Sequence, residues 1–215
     1  MQLYAITDRK TLGDDTQQQN IRVLSLAEDW ARAGVDFLQI REKDIDPGLL
    51  LLLASQIVET VRKAGGKTRV LVNGDTAIAA RSGADGVHLP GGWEWDSIEA
   101  ARRIWPNFGY KPEPIISVAC HSVAEVAQAR GAGATLAVFA PVFGKQTEPG
   151  RMLAGCGLAV LETACRAGNS LPVFALGGVT AENAGLCIAA GAAGIAGIRL
   201  FAGHDWTALR GVAGS

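Results

Sequence analysis

No run of lysine or arginine appears anywhere in this sequence, and its formal net charge is only −1. Binding a nucleic-acid backbone needs a concentrated positive face, so nucleic acid is excluded as the main partner. Also absent is any stretch of the roughly 20 apolar residues that a membrane helix requires. The N-terminus opens with strand-like residues rather than a signal peptide, so the expectation is no membrane partner and a cytoplasmic location. Cysteine is scarce, and Cys120, Cys156, Cys165 and Cys187 show neither close pairing nor a Cys/His spacing suited to structural zinc. They read as reduced thiols, several of them in the core. Cys120 adjoins His121, but successive side chains of a strand point to opposite faces, and a buried thiol packs rather than reacts.

What is abundant is apolar residues, 48% of the chain, together with 27 glycines, enough for a full core and many tight turns. Eight short β-rich runs recur at roughly even spacing: 3–7, 37–40, 69–73, 86–88, 115–118, 136–139, 173–176 and 195–198. Each is apolar and largely without alternation, as expected of strands covered on both faces. Helical segments lie between them. Ile21 to Ala33 places Ile21, Leu24, Ala27 and Ala31 on one stripe, with Gly34 as its stop. Leu49 to Ala64 is the strongest helix, and later ones are expected to start at Ser122, with Glu125 completing a capping box, and at Thr180. Ala-Gly-Val-Asp at 33–36 returns as Ser-Gly-Ala-Asp at 82–85, Gly-Ala-Gly-Ala at 131–134 and Ala-Gly-Ala-Ala at 190–193. Each return sits where a helix hands over to a strand, so a βα unit repeats. Eight such units in 215 residues predict one domain, a single (β/α)₈ TIM barrel, within the lower part of that fold's usual length.

In that barrel the C-terminal ends of all strands face one mouth. Arg41, Lys43, Asn73, His88, His121, Gly177, Gly178 and Arg199 all end or follow predicted strands, so the topology gathers them into one pocket. Gly177-Gly178 and the 197–201 stretch are where such barrels cradle phosphate on backbone N–H groups, with Arg199 adding a charge-assisted contact. Arg41 and Lys43 suit an anionic ligand, or pair with Glu42 and Asp44 at the rim. His121 suits proton transfer because an unperturbed imidazole titrates near pH 6.5. Trp93 and Trp95, flanking Glu94, fit a lid over a flat heterocycle, a packed loop or an oligomer contact, so a homo-oligomer stays open. His204 and the segment from Asp205 to Ser215 read as structural, with Trp206 and Leu209 spaced as a final helix face.

The stretches LYAITDRK (3–10), FLQIREKD (37–44), VLVNGD (70–75), GADGVHLP (83–90), ISVACHS (116–122), VFAPVFGKQTEPG (138–150) and PVFALGGVT (172–180) resemble, in order, the strand-end motifs of the thiamine phosphate synthase/TenI family. The resemblance runs from the first strand to the last. It implies a thiazole phosphate in the mouth and, for the synthase, an aminopyrimidine diphosphate held by magnesium, coupled with release of pyrophosphate. The TenI branch instead implies an aromatising tautomerisation of a thiazole phosphate carboxylate. Gln39, Arg41 and Lys43 match the Gln-x-Arg-x-Lys pattern that contacts the pyrimidine substrate, and Asn73 matches the asparagine after the third strand. His88 and Thr147 also stand in place, and Lys145 is a new cation beside the expected pyrophosphate site.

Departures cluster around the metal. The aspartate expected after Asn73 is Gly74, with Asp75 one place on, and the second expected carboxylate is Trp93. Magnesium needs hard oxygen ligands, usually one or two of them carboxylates, so Asp75, or Glu94 after a loop shift, is what remains. The lysine expected to meet pyrophosphate is Glu148, the serine two residues before the histidine is Ala119, and the eighth strand's Val-Ser is Ile198-Arg199. The sequence therefore favours a TenI-like thiazole tautomerase with His121 as proton carrier and no certain cofactor. The alternatives are a thiamine phosphate synthase using Mg²⁺, and a barrel that binds thiazole or thiamine phosphate without turnover. An unrelated phosphate-binding barrel leaves the QIREK, NG and CHS runs unexplained.

Overall fold

Alternation within the strands sorts the core into two parts. Tyr4, Ile6, Leu71, Leu136, Val138, Phe174 and Ala196 form one buried cluster, whereas their neighbours Leu3, Ala5, Val70, Val72, Ala137, Phe139, Val173, Ala175 and Ile195 belong to a larger one. A two-residue period across a closed sheet gives this result: one face lines the lumen and the other packs on helices. A computed structural model describes residues 1–109, 112–148, 151–203 and 206–209. Its barrel strands are β1 (Gln2–Ile6), β2 (Phe37–Ile40), β3 (Arg69–Asn73), β4 (Gly86–Leu89), β5 (Ile115–Cys120), β6 (Leu136–Phe139), β9 (Val173–Ala175) and β10 (Gly194–Gly197). They close in the order β1-β10-β9-β6-β5-β4-β3-β2, every pair parallel. The expected (β/α)₈ barrel is what the chain forms.

Helices α1 (Thr16–Arg32), α2 (Pro47–Lys63), α3 (Thr76–Ser82), α4 (Trp95–Ile104), α5 (Val123–Gly131), α6 (Leu158–Gly168), α7 (Ala184–Ala189) and α8 (Arg199–Ala202) follow the strands. Helix α1 begins five residues before the expected Ile21, because Asp15 caps it by accepting from the Gln18 N–H. Gly34 leaves it at φ 72°, the left-handed conformation that favours glycine. Ser122 caps α5 as expected, accepting from Glu125 N–H, but Glu125 reaches back to the N–H of His121 rather than that of the cap residue. The start expected at Thr180 is corrected: α7 begins four residues later, since the Asn183 side chain accepts from the Thr180 N–H and holds the intervening residues in turns.

Two features lay outside the sequence reading. The stretch after β6 forms an antiparallel hairpin of β7 (Lys145–Glu148) and β8 (Arg151–Leu153), separate from the barrel. At the lower end of the lumen, Tyr4, Phe37 and Phe174 meet with ring centroids 5.5–5.6 Å apart, an aromatic plug that closes the barrel below its mouth. No helix among the described residues is long and apolar enough to cross a membrane. Trp206 and Leu209 are buried against the core as their spacing suggested, whereas His204, Asp205 and residues 210–215 lie outside the described residues.

Candidate active site at the barrel mouth

The second strand ends on alternating signs, Arg41-Glu42-Lys43-Asp44, and the structure settles which of them pair. Arg9, 3% exposed, lies beside Glu42 with Nε–Oε2 at 3.6 Å and bonds Asp44 at 2.6 Å, and Lys10 also approaches Asp44. Glu42 also accepts from the Thr7 hydroxyl at 2.5 Å and from the Arg9 N–H, while burial holds its carboxyl above the ordinary range. Thr7 Oγ1 in turn accepts from the Arg41 N–H. The rim carboxylates are thus satisfied from β1 and the turn after it. Arg41, half-buried, and Lys43, exposed, have no carboxylate partner among the described residues. Two cations held at a strand end without a carboxylate partner among the described residues are chemically suited to meet an anion.

The seventh and eighth barrel strands supply a second one. Gly177 and Gly178, at φ 95° and 63°, turn the chain after β9, and Gly177 C=O accepts from Phe143 N–H. Their N–H groups meet no acceptor among the described residues. A Cβ on Gly177 would stand 2.8 Å from Pro141 Cα, and one on Gly178 would stand 2.7 Å from the Gly144 carbonyl. Glycine is therefore required here by the neighbouring turn, independently of any ligand. A cavity of about 460 Å³ opens beside them, walled by Gly177, Gly178, Thr180, Gly197, Ile198 and Arg199. Arg199 is exposed and, like Arg41, unpaired among the described residues. Neither Arg41 nor His121 lines this cavity.

Between these corners lies a polar chain that the sequence reading had resolved only in part. Gln39, 1% exposed, donates from Nε2 to Asn73 Oδ1 at 3.0 Å and accepts from the Tyr4 hydroxyl at 3.1 Å. Tyr4 lies 3.3 Å from Ser117 Oγ, which lies 2.8 Å from His88 Nδ1. His88 is buried, and desolvation followed by the field of Arg41 lowers its pKa to about 3, so it is neutral. Gln39 and His88 are thereby enclosed in the wall, and of this group only Asn73 is partly open. Tyr4 and Ser117 were missed in the sequence. Their signal was a hydroxyl on each of two strands otherwise buried and apolar, where an unpaired polar group is costly.

His121 is exposed at the end of β5, and its Nδ1 bonds the Ala140 carbonyl at 2.7 Å. A carbonyl only accepts, so the neutral ring carries its proton on Nδ1 and keeps a lone pair on Nε2. Nε2 faces Gly91, where a Cβ would come within 3.0 Å. Of the loop tryptophans, Trp93 donates to the Ala119 carbonyl at 2.7 Å, and Trp95 lies against Gly131 on α5. Trp95 is therefore on the outer helical layer. Lys145 and Thr147 fall on β7. Cys120 is fully buried and its thiol is pushed up to about 12, which leaves no thiolate nucleophile.

Asp75, the candidate for a magnesium ligand, caps α3 by accepting from the Ile78 N–H at 2.8 Å. Glu94 stands at the start of α4, its N–H donating to Ser97 Oγ. No group of three or more His, Cys, Asp or Glu is gathered as a metal cage among the described residues. Magnesium is usually held by one or two carboxylates with substrate phosphates, and the described residues at this mouth do not provide a carboxylate pair.

Comparison with known proteins agrees with this architecture. Residues 3–201 match the family described as thiamine monophosphate synthase. The chain is 36% identical to the thiamine-phosphate synthase of Methanoculleus marisnigri, over 94% of this chain and 88% of that one. It is 35% identical to the thiamine-phosphate synthase of Methanocella arvoryzae, over 90% and 84% of the two chains. Among solved structures, a thiamine phosphate pyrophosphorylase from Pyrococcus furiosus superposes with a TM-score of 0.78 at 24% identity, covering 98% of this chain and 94% of that one. That likeness speaks for the fold alone.

Proposed function

The chain belongs to the thiamine monophosphate synthase family, and from that premise we propose that its mouth joins hydroxymethylpyrimidine diphosphate to thiazole phosphate. The thiazole nitrogen lone pair forms the new bond to the pyrimidine methylene carbon. The bond from that carbon to the diphosphate oxygen breaks, and pyrophosphate leaves with its electron pair. The supporting observation is that the mouth offers two separate corners for anions, on either side of β1. Arg41 and Lys43 stand at one without a carboxylate partner among the described residues, and Gly177, Gly178 and Arg199 stand at the other. A reaction on one phosphate monoester needs only one of them. Arg41, with Lys43, meets the diphosphate charge and the leaving group, Lys145 and Thr147 are assigned to the same end by their place in the sequence, Asn73 fixes the pyrimidine, and the glycine turn with Arg199 holds thiazole phosphate. Gln39 and His88 act through Asn73 and the wall.

A second reading, thiazole tautomerase, is favoured by one observation: His121 keeps a free Nε2 lone pair at the mouth while Gly74 and Trp93 replace carboxylates. His121 would then take a ring proton and return it at another carbon. Incubating the protein with hydroxymethylpyrimidine diphosphate and either thiazole phosphate or its carboxylate, with magnesium or EDTA, separates the two. Thiamine phosphate with pyrophosphate in equal amount is expected. Aromatised thiazole without coupling would overturn the synthase reading and support the tautomerase.

A further inference from the structure

Tyr4, Gln39, Asn73, His88 and Ser117 come one each from five adjoining strands, β1 to β5, and together they cross the lumen. Each group in the middle of this chain has a fixed stock of protons. A phenol or serine hydroxyl has one proton to donate, a primary amide has a donor end and an acceptor end, and a neutral imidazole has one of each. His88 is neutral at physiological pH, so it cannot donate from both nitrogens.

Only two arrangements make every contact a hydrogen bond and also give both hydroxyl protons an acceptor within the chain. In the first, His88 Nδ1–H donates to Ser117, Ser117 to Tyr4, Tyr4 to Gln39 Oε1, and Gln39 Nε2 to Asn73 Oδ1. The Gln39 and Asn73 orientations in the structure are those of this arrangement. In the second, both amides are turned over and every proton is reversed. Asn73 donates to Gln39, Gln39 to Tyr4, Tyr4 to Ser117, and Ser117 to His88 Nδ1, which moves the imidazole proton to Nε2. Any other arrangement either sets two lone pairs or two protons against each other or has one hydroxyl accept from both neighbours and leave its own buried proton unused in the chain, at the cost of an unmade bond there.

We infer that this chain is a two-state relay in which the hydrogen-bonding character of the group a ligand presents to Asn73 selects the tautomer of His88. A ligand that offers an acceptor, such as a ring nitrogen or a phosphate oxygen, takes a proton from Asn73 Nδ2 and selects the first state. A ligand that offers an N–H donor takes the Asn73 oxygen and selects the second. Tyr4 and Ser117 are positioning residues, since they touch no ligand and act through Asn73 and His88. The ring at the far end lies in the field of Arg41, so recognition at the pyrimidine corner changes the polarity of the wall beside the anion corner. The inference rests on the placement of the ligand at Asn73 proposed above.

The test uses nitrogen-15 NMR on histidine-labelled protein, with the His88 signals identified by their loss in His88→Gln. Asn73→Asp offers only an acceptor to Gln39 and is expected to put the His88 proton on Nδ1. Asn73→Lys offers only donors and is expected to put it on Nε2; Asn73→Arg serves in its place if the lysine variant does not fold. In a Tyr4→Phe background the middle link is gone, and the two substitutions are expected to leave His88 in the same tautomer. Identical tautomers in the two Asn73 variants would overturn the relay, and so would a difference that survives Tyr4→Phe. No substrate turnover is needed, so a failed coupling assay leaves this outcome independent.

Discussion

At the scale of single residues, the decisive finding is which charges have partners. From sequence alone, Arg41 and Lys43 could pair with Glu42 and Asp44 or wait for an anion. The acids turn out to be taken by Arg9, Lys10 and Thr7, from a segment more than 30 residues away in sequence. No local pattern could assign that partnership, because it depends on β1 lying beside β2. It makes a selective prediction. Arg41→Ala should weaken inorganic pyrophosphate by about 1.5–3 kcal/mol, the scale of a charge-assisted hydrogen bond, and leave thiazole phosphate affinity nearly unchanged. Arg199→Ala should do the reverse. Calorimetric titration of both ligands against both variants checks the pair, and equal losses for both ligands in either variant would deny that the corners are separate.

Among elements, the local signals were reliable where one side chain faces its own backbone. Ser122 caps α5, and Ser122→Ala should cost about 1 kcal/mol in a denaturation midpoint measured by circular dichroism. Affinity for pyrophosphate and thiazole phosphate should stay as it was, because the Ser122 hydroxyl is engaged with Glu125 and belongs to neither cation cluster. The turn after β9 behaves differently. Gly178 has φ 63°, and a Cβ would meet the Gly144 carbonyl at 2.7 Å. Gly178→Ala should therefore both lower stability and displace the turn, with a loss of thiazole phosphate binding that exceeds the loss from Arg199→Ala. The sequence showed that glycine belonged there but credited the reason to a ligand, since the approach of the turn after β6 is a contact between distant segments. The hairpin of β7 and β8 was likewise illegible, as its residues carry no alternation to mark them as strands.

The whole molecule adds a pH dependence. His88 has a folded pKa near 3 against an ordinary value of 6.5, so the unfolded chain binds the extra proton more readily. Below pH 6.5 the unfolded state gains protons that the folded state refuses, and stability falls as pH drops toward 3. His88 alone contributes a slope of up to about 1.4 kcal/mol per pH unit across that window. His88→Gln should flatten the urea midpoint between pH 6 and pH 4 relative to the parent, approximately by that slope; an unchanged curve would mean the ring is charged in the folded state. The sequence by itself determined the number and order of the barrel strands, the repeat of βα units and the set of residues that end at one mouth. It could do so because buried parallel strands are short apolar runs, and a barrel's strand ends share a side. Only the tertiary structure decided which of those residues open to the mouth and which are enclosed, that the unpaired cations stand in two separate groups, and that Tyr4 and Ser117 join Asn73 to His88. Those properties belong to side chains from different strands meeting in a lumen, and pairing across a lumen leaves no trace in the spacing of residues along the chain.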